Sequence, residues 1–344
     1  MRFTLLIAAI SLLSSATGSH LRRRHPHPHP TSPEPAASSA VFEVDPAYAA
    51  PTHIPAPHLE TPLLGAPNNL TCLTPLVRKP WHALSPAERS AYIAAEVCLF
   101  ETPSRMDDPT TTNLYTDLVK AHQLLSESVH ETGLFLPFHR LHVNAHELLL
   151  RSVCGYKGAQ PYWDEAFNAG AFSKADLLTA SYFGGDGDAT GCVPDGPFAK
   201  FQLTVGPYHD NVPRCLSRKI NDAASAGSQD ANVKACLEIE SWPEAAACFH
   251  DKPHSGGHNG VGGVMADGVA SPGDPLYWLH HAWLDRAWGK WQERWGADVK
   301  EGTMVEDGVE VTGDAWIDML GLVEGATVEE IKKIGGGRNC YTYL

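Results

Sequence analysis

Seven histidines occupy positions where helical spacing would gather them: His122, His130, His139, His254, His258, His280 and His281. His122 lies four residues after Leu118 on the apolar face of one periodic stretch, which His130 closes. His139 follows nine residues later, at the start of the next stretch. His254 and His258 are four apart, a spacing that puts both on one face of a helical turn. Asp251 and Pro253 read as start signals for that turn. His280 and His281 sit inside a tryptophan-rich segment, where an unpaired imidazole is costly to bury. A lone histidine on an apolar face is more often a hydrogen-bonded core residue. So many together need either a partner each or a metal. The donors would be imidazole alone, which suits zinc, copper, iron and nickel, with copper the tightest of the divalent series. Two other metal chemistries fail on spacing. A carboxylate-bridged di-iron bundle needs Glu-x-x-His pairs from two helices, and none is suitably placed. His146-Glu147 begins a zinc-protease pattern, but Leu150 stands where its second histidine is required.

Four helices are predicted to position these groups. Ser85-Pro86-Ala87-Glu88 is a capping box with proline at the first helical position, opening a helix to about Phe100. A second helix runs from about Thr112 to His130, with Leu114, Leu118, His122, Leu125 and Val129 on one face. A third spans about Pro137 to Cys154 and stops before Gly155. The fourth, about Asp274 to Trp295, carries Trp278, Trp283, Trp288, Trp291 and Trp295 and must be largely buried. Residues 155–250 read as loop-rich and cross-linked. The valine-rich piece 305–312, with Asp307-Gly308, suggests a small hairpin. The fold class is therefore mainly α, with long loops and a few short strands.

The 344 residues amount to about two domains by length, yet no second linker or internal repeat follows Val41. Residues 41–344 are expected to form a single domain. A net charge of −14 argues against a nucleic-acid surface, and no interior apolar run is long enough to span a membrane. Residues 1–18 read as a secretory signal peptide, with Arg2, an apolar stretch from Phe3 to Leu13 and a small-residue site at Ala16-Thr17-Gly18. Residues 19–40 follow as a Pro/His-rich disordered pro-segment or linker, with a processing site at Arg22-Arg23-Arg24. Its His25, His27 and His29 alternate with prolines, which fix no metal geometry. An exported chain with eight cysteines can form up to four disulfides. Asn69-Leu70-Thr71 is the only glycosylation sequon.

Two stretches carry a family resemblance. His130 to Glu147, with Phe135-Leu136-Pro137-Phe138-His139-Arg140 at its centre, resembles the first copper signature of the tyrosinase and catechol oxidase (polyphenol oxidase) family. Asp274-Pro275-Leu276-Tyr277-Trp278-Leu279-His280-His281-Ala282-Trp283-Leu284-Asp285 resembles the second. His254-x3-His258 followed by Val261-Gly262-Gly263 is similar to the family's approach to its second copper. The resemblance covers about residues 115–344 and is greatest to the short secreted fungal members. It implies a central four-helix bundle and a dinuclear type-3 copper site with O2 as cosubstrate. By it, one copper is held by His122, His130 and His139 and the other by His254, His258 and His281. His280, His142 and His146 are then neighbours. Arg140 and Asp285 look like the family's ion pair bracing the ligand helices, and Tyr341-Thr342-Tyr343 like the tyrosine motif closing the catalytic domain.

The implied activity is oxidation of small phenols, o-diphenols going to o-quinones, with no obligatory protein partner. Departures from the pattern shape the expectation. Ser128 stands where several members have a thioether-forming cysteine. Ser255 stands where monophenol hydroxylases often have a water-orienting asparagine, while Asn259 follows the second histidine. Glu240 and Glu244 are both candidates for the glutamate that holds that water. Strong diphenol oxidation with weaker or selective ortho-hydroxylation of monophenols is therefore expected. Gly268 and Val269 fall where relatives gate entry over the second copper, and small residues there suggest a roomy mouth. No C-terminal lid is expected after the tyrosine motif. The competing readings are an o-aminophenol oxidase, a hemocyanin-like oxygen-binding protein and a zinc or non-catalytic metal-binding protein.

Overall fold

The capping box at Ser85 forms as its sequence predicts. The Ser85 hydroxyl accepts from the Glu88 backbone N–H at 3.3 Å, and the Glu88 carboxylate accepts from the Ser85 N–H at 2.8 Å. This opens α1 (Pro86–Glu101). A second box at Asn113, where Thr116 is the reciprocal partner, opens α2 (Leu114–Val129), and His130 caps its C-terminus. Then α3 (Phe135–Ser152) starts two residues before the expected Pro137, whose missing N–H costs nothing in a first turn. The computed structural model describes residues 72–296, 303–304 and 310–344, with the strand residues Thr303, Met304 and Glu310 described by backbone alone. The expected signal peptide (1–18), the segment 19–40 and the Asn69 sequon lie outside the described residues.

The stretch expected to be loops also builds four short helices, α4 (Glu165–Asn168), α5 (Asp222–Ser225), α6 (Asp230–Leu237) and α7 (Trp242–Phe249). From α7 the chain continues through a π turn at His250–His254 into α8 (Ser255–Val261). Pro253 was expected to start a helix; instead it sits inside this continuous helical run. The wider turn accommodates it: the Ser255 N–H reaches back to the His250 carbonyl. The tryptophan-rich helix α9 (Leu276–Trp295) begins after Asp274. Asp274 accepts from the Leu276 N–H at 3.0 Å and pairs with buried Arg218 at 2.7 Å, so it satisfies a first-turn donor of the helix. A last turn, α10 (Val328–Ile331), precedes the C-terminus.

Helix α3 packs along α9, α2 lies against α1 and α3, and the α7–α8 run meets α9 at its π turn. Every residue from Phe135 to Leu150 is buried, so α3 is the central element. The strands are short pairs. β1 (Leu76–Arg78) runs parallel to β8 (Tyr341–Tyr343), joining the two ends of the described chain. The others are β2 (Gln202–Leu203) with β3 (Arg214–Cys215), β4 (Thr303–Met304) with β5 (Glu310–Val311) and β6 (Trp316–Ile317) with β7 (Ala326–Thr327), all antiparallel. The β4–β5 pair is the expected hairpin; its turn lies outside the described residues. All eight cysteines pair: Cys72–Cys340, Cys98–Cys154, Cys192–Cys215 and Cys236–Cys248.

Candidate metal centre

Helices α2 and α3 bring His122, His130 and His139 together, with ring centroids 5.0 to 5.6 Å apart. Each Nδ1 faces a backbone carbonyl: Val269 at 2.8 Å for His122, Ser126 at 2.9 Å for His130 and Phe135 at 2.6 Å for His139. A carbonyl can only accept, so each Nδ1 carries the ring proton and each Nε2 keeps its lone pair. The Nε2 atoms of His122 and His139 are buried and have no hydrogen-bond partner.

The second cluster forms where α8 meets α9. His254 ends the π turn, and both of its ring nitrogens lack partners. His258 Nδ1 donates to the Met265 carbonyl at 2.5 Å, which turns its Nε2 toward His281 Nε2 at 3.3 Å. His139 stacks on His281 at 4.1 Å, so the clusters share a wall. His280 also belongs to this group, since its donor atoms lie within 4.8 Å of those of the other three. Its Nδ1 is held by Glu165 at 2.6 Å and its Nε2 has no partner. Among the described residues these are the two histidine groups suited to a metal ion.

Burial, helped by the like charge each ring would present to its neighbours, depresses the pKa of all six residues assigned as ligands from the motifs. Burial alone pushes His280 down to about 3. Neutral imidazole is the metal-binding form. Buried lone pairs left unpaired are rare in folded proteins. Here several converge, all nitrogen, and backbone carbonyls aim the His122, His130, His139 and His258 rings. That donor set fits a pair of imidazole-bound ions.

Around the clusters, Arg140 Nε pairs with Asp285 at 2.5 Å, as the motifs implied. The network is larger than the motifs showed. Arg78, fully buried, lies 3.5 Å from Asp285 and 2.5 Å from Glu147, and its guanidinium sits 3.5 Å over the Tyr341 ring. The hydroxyls of Tyr341 and Tyr343 both donate to Asp285 at 2.6 Å. Nothing in the local pattern around Arg78 signals this, because the partnership exists only once β1 pairs with β8.

His142 and His146 lie outside both clusters. His142 bridges the Leu118 carbonyl and the Tyr277 hydroxyl, and His146 is held between Glu96 and Gln160. Ser128 is exposed and donates to the Leu125 carbonyl. Ser255 donates to the His250 carbonyl and Asn259 is exposed. Gly268 is exposed, and a Cβ added there would meet nothing within 4 Å. This loop reaches the first cluster, where the Val269 carbonyl accepts from His122. The water-holding role considered for Glu240 and Glu244 does not survive: Glu240 is exposed in the segment before α7, and Glu244 is exposed because α7 buries Trp242, Ala245 and Phe249 and turns it outward. The carboxylate buried beside the second cluster is Glu165, which the sequence reading missed. Its only signal was a glutamate directly after Trp163-Asp164, and the contact spans 115 positions.

Residues 112–294 match the family model described as the common central domain of tyrosinase. A tyrosinase-like protein of Diaporthe leptostromiformis, phomQ1, is 32% identical over 79% of this chain and 78% of its own length. The N-acetyl-6-hydroxytryptophan oxidase ivoB of Emericella nidulans is 30% identical over 78% of this chain and 92% of its own length. Among solved structures, a polyphenol oxidase variant from Thermothelomyces thermophila superposes with a TM-score of 0.72 at 25% identity, covering 78% of this chain and 88% of that one. The helical copper-domain fold and the paired histidine clusters agree with these likenesses, and the chain belongs to the tyrosinase family of dicopper oxidases.

Proposed function

We propose that this chain is a secreted polyphenol oxidase that passes electrons from o-diphenols to O2 and releases o-quinones. His122, His130 and His139 would hold one copper, and His254, His258 and His281 the other. The observation that carries this reading is the set of buried, unpartnered imidazole nitrogens converging from two helix pairs. A bound copper pair supplies the two-electron exchange with dioxygen that this oxidation requires. The protein's own part is to hold the donors neutral and in place. Backbone carbonyls fix the His122, His130, His139 and His258 rings, and Asp285 ties Arg140 of α3 to α9.

A catechol gives up only two electrons and its two hydroxyl protons, whereas a monophenol must first be deprotonated and hydroxylated at its ortho carbon. The groups considered for that task are poorly placed: Ser255 is committed to the His250 carbonyl, and Glu240, Glu244 and Asn259 are exposed. Diphenol oxidation should therefore dominate. Initial rates on a matched phenol and catechol test this, and equal rates would refute it. Open space at Gly268, together with a relative named for oxidising a hydroxylated tryptophan, supports rings with bulky side chains. The four disulfides accord with export. N-terminal sequencing of material from the culture medium should begin after Gly18 or Arg24. Retention of the whole protein in cells would count against secretion.

A further inference from the structure

Tyr277 touches both histidine clusters. Its ring lies 4.2 Å from His281, 5.5 Å from His122 and 6.2 Å from each of His139 and His258, with no exposure to solvent. Packing alone would be served by phenylalanine, so the hydroxyl needs its own account. It faces His142 Nδ1 at 3.2 Å, while His142 Nε2 faces the Leu118 carbonyl at 3.1 Å. Because that carbonyl can only accept, Nε2 carries the ring hydrogen, Nδ1 keeps a lone pair, and Tyr277 is the donor. The phenol thus has a proton acceptor already in contact. Beside it, 4.9 Å away and equally buried, is the Trp278 ring, which also lies 4.7 Å from His142 and whose Nε1–H donates to the Tyr115 hydroxyl at 3.1 Å. An oxidisable phenol next to the metal-binding groups therefore touches both a base for its proton and an oxidisable indole.

We propose that Tyr277 and Trp278 form a protective relay, which gives up an electron in place of the metal-binding histidines when the centre is oxidised with no phenol bound. This rests on the copper reading above. In the first step Tyr277 loses one electron to the oxidised centre, charged by dioxygen or hydrogen peroxide, and its hydroxyl proton passes to His142 Nδ1. A neutral phenoxyl radical and an imidazolium result, and the centre is reduced by one electron. Trp278 then returns one electron to Tyr277 while His142 returns the proton, leaving the oxidised equivalent on the indole. A phenol arriving later supplies the missing electron.

The test exposes copper-loaded protein to hydrogen peroxide without phenol, and compares the native chain with Tyr277→Phe. Copper content and browning of a catechol are measured on the same samples. Freeze-quenched paramagnetic resonance should show an early organic radical that narrows when tyrosine is ring-deuterated, giving way to one that narrows when tryptophan is ring-deuterated, and both should be lost in Tyr277→Phe. Mass spectrometry should find severalfold more oxidised histidine at His122 and His281 in the variant. Equal radical spectra and equal histidine oxidation in two proteins that both hold copper and brown catechol would overturn the relay alone. Absence of copper or of browning in the native chain would instead sink the functional reading, and the relay with it.

Discussion

At the scale of single residues, the centre depends on which ring nitrogen carries a proton. Backbone acceptors fix that choice for His122, His130, His139 and His258 before any metal arrives. His280 and His281 are neighbours in sequence and both have an unpartnered nitrogen, but His280 is anchored on Glu165. Metal analysis should therefore find His281→Gln short of one copper, and His280→Gln still fully loaded. The depressed pKa values also set the pH response. An unfolded histidine takes up a proton below about pH 6.5, whereas the buried rings refuse it. Folded His142 and His280 hold out to about 3. Copper-free protein should thus be stable above the unfolded value and weaken steadily as pH falls beneath it. Urea midpoints measured across that range check this, and a flat profile would contradict it. Asp285 answers a different test. Its carboxylate is kept ionised by Arg140 and Arg78, so Asp285→Asn leaves the buried Arg140 guanidinium without its carboxylate, while Arg78 retains Glu147. The expected loss is about 3–5 kcal/mol in denaturant unfolding.

Among the elements, the run from α7 through the π turn to α8 does the positioning that an ordinary helix would not. One wider turn shifts the face that follows it, so that His254 and His258 point at α9 while Trp242 and Phe249 stay in their own apolar cluster. The capping box of α1 is a more ordinary device, remote from the histidines. Ser85→Ala should lower stability by about 1 kcal/mol and leave copper content unchanged. Thermal unfolding alongside metal analysis would show both. The pairing of β1 with β8 brings Arg78 under Tyr341 and Tyr343, so a two-strand contact governs charges deep in the α3–α9 interface.

Over the whole molecule, long-range closures hold a loop-rich chain together. Cys98–Cys154 ties α1 to the end of α3 across 56 positions. Replacing both cysteines by serine should cost about 2–5 kcal/mol, read from the urea midpoint. The histidine groups would remain assembled, because α2, α3 and α9 keep their own packing. The four pairings show why cysteine spacing could not give the connectivity: one joins neighbours 12 apart and another spans 268 positions.

Much of this protein is written in local pattern. The capping box at Ser85 and the apolar periodicity located α1, α2, α3 and α9, since a helix obeys its own 3.6-residue period whatever surrounds it. The six metal-binding candidates came from the resemblance of the histidine motifs to a known family. Pro253 shows the limit, for a proline reads as a boundary until tertiary packing makes a wide turn affordable. The folded chain alone decided that Glu165 reaches His280, that Arg78 joins Asp285, that Glu240 and Glu244 face water, and that Tyr277 spans both clusters. Each of these contacts, or missing contacts, links segments far apart in the chain. Which buried charge meets which partner is settled by how helices pack, and no local spacing encodes that.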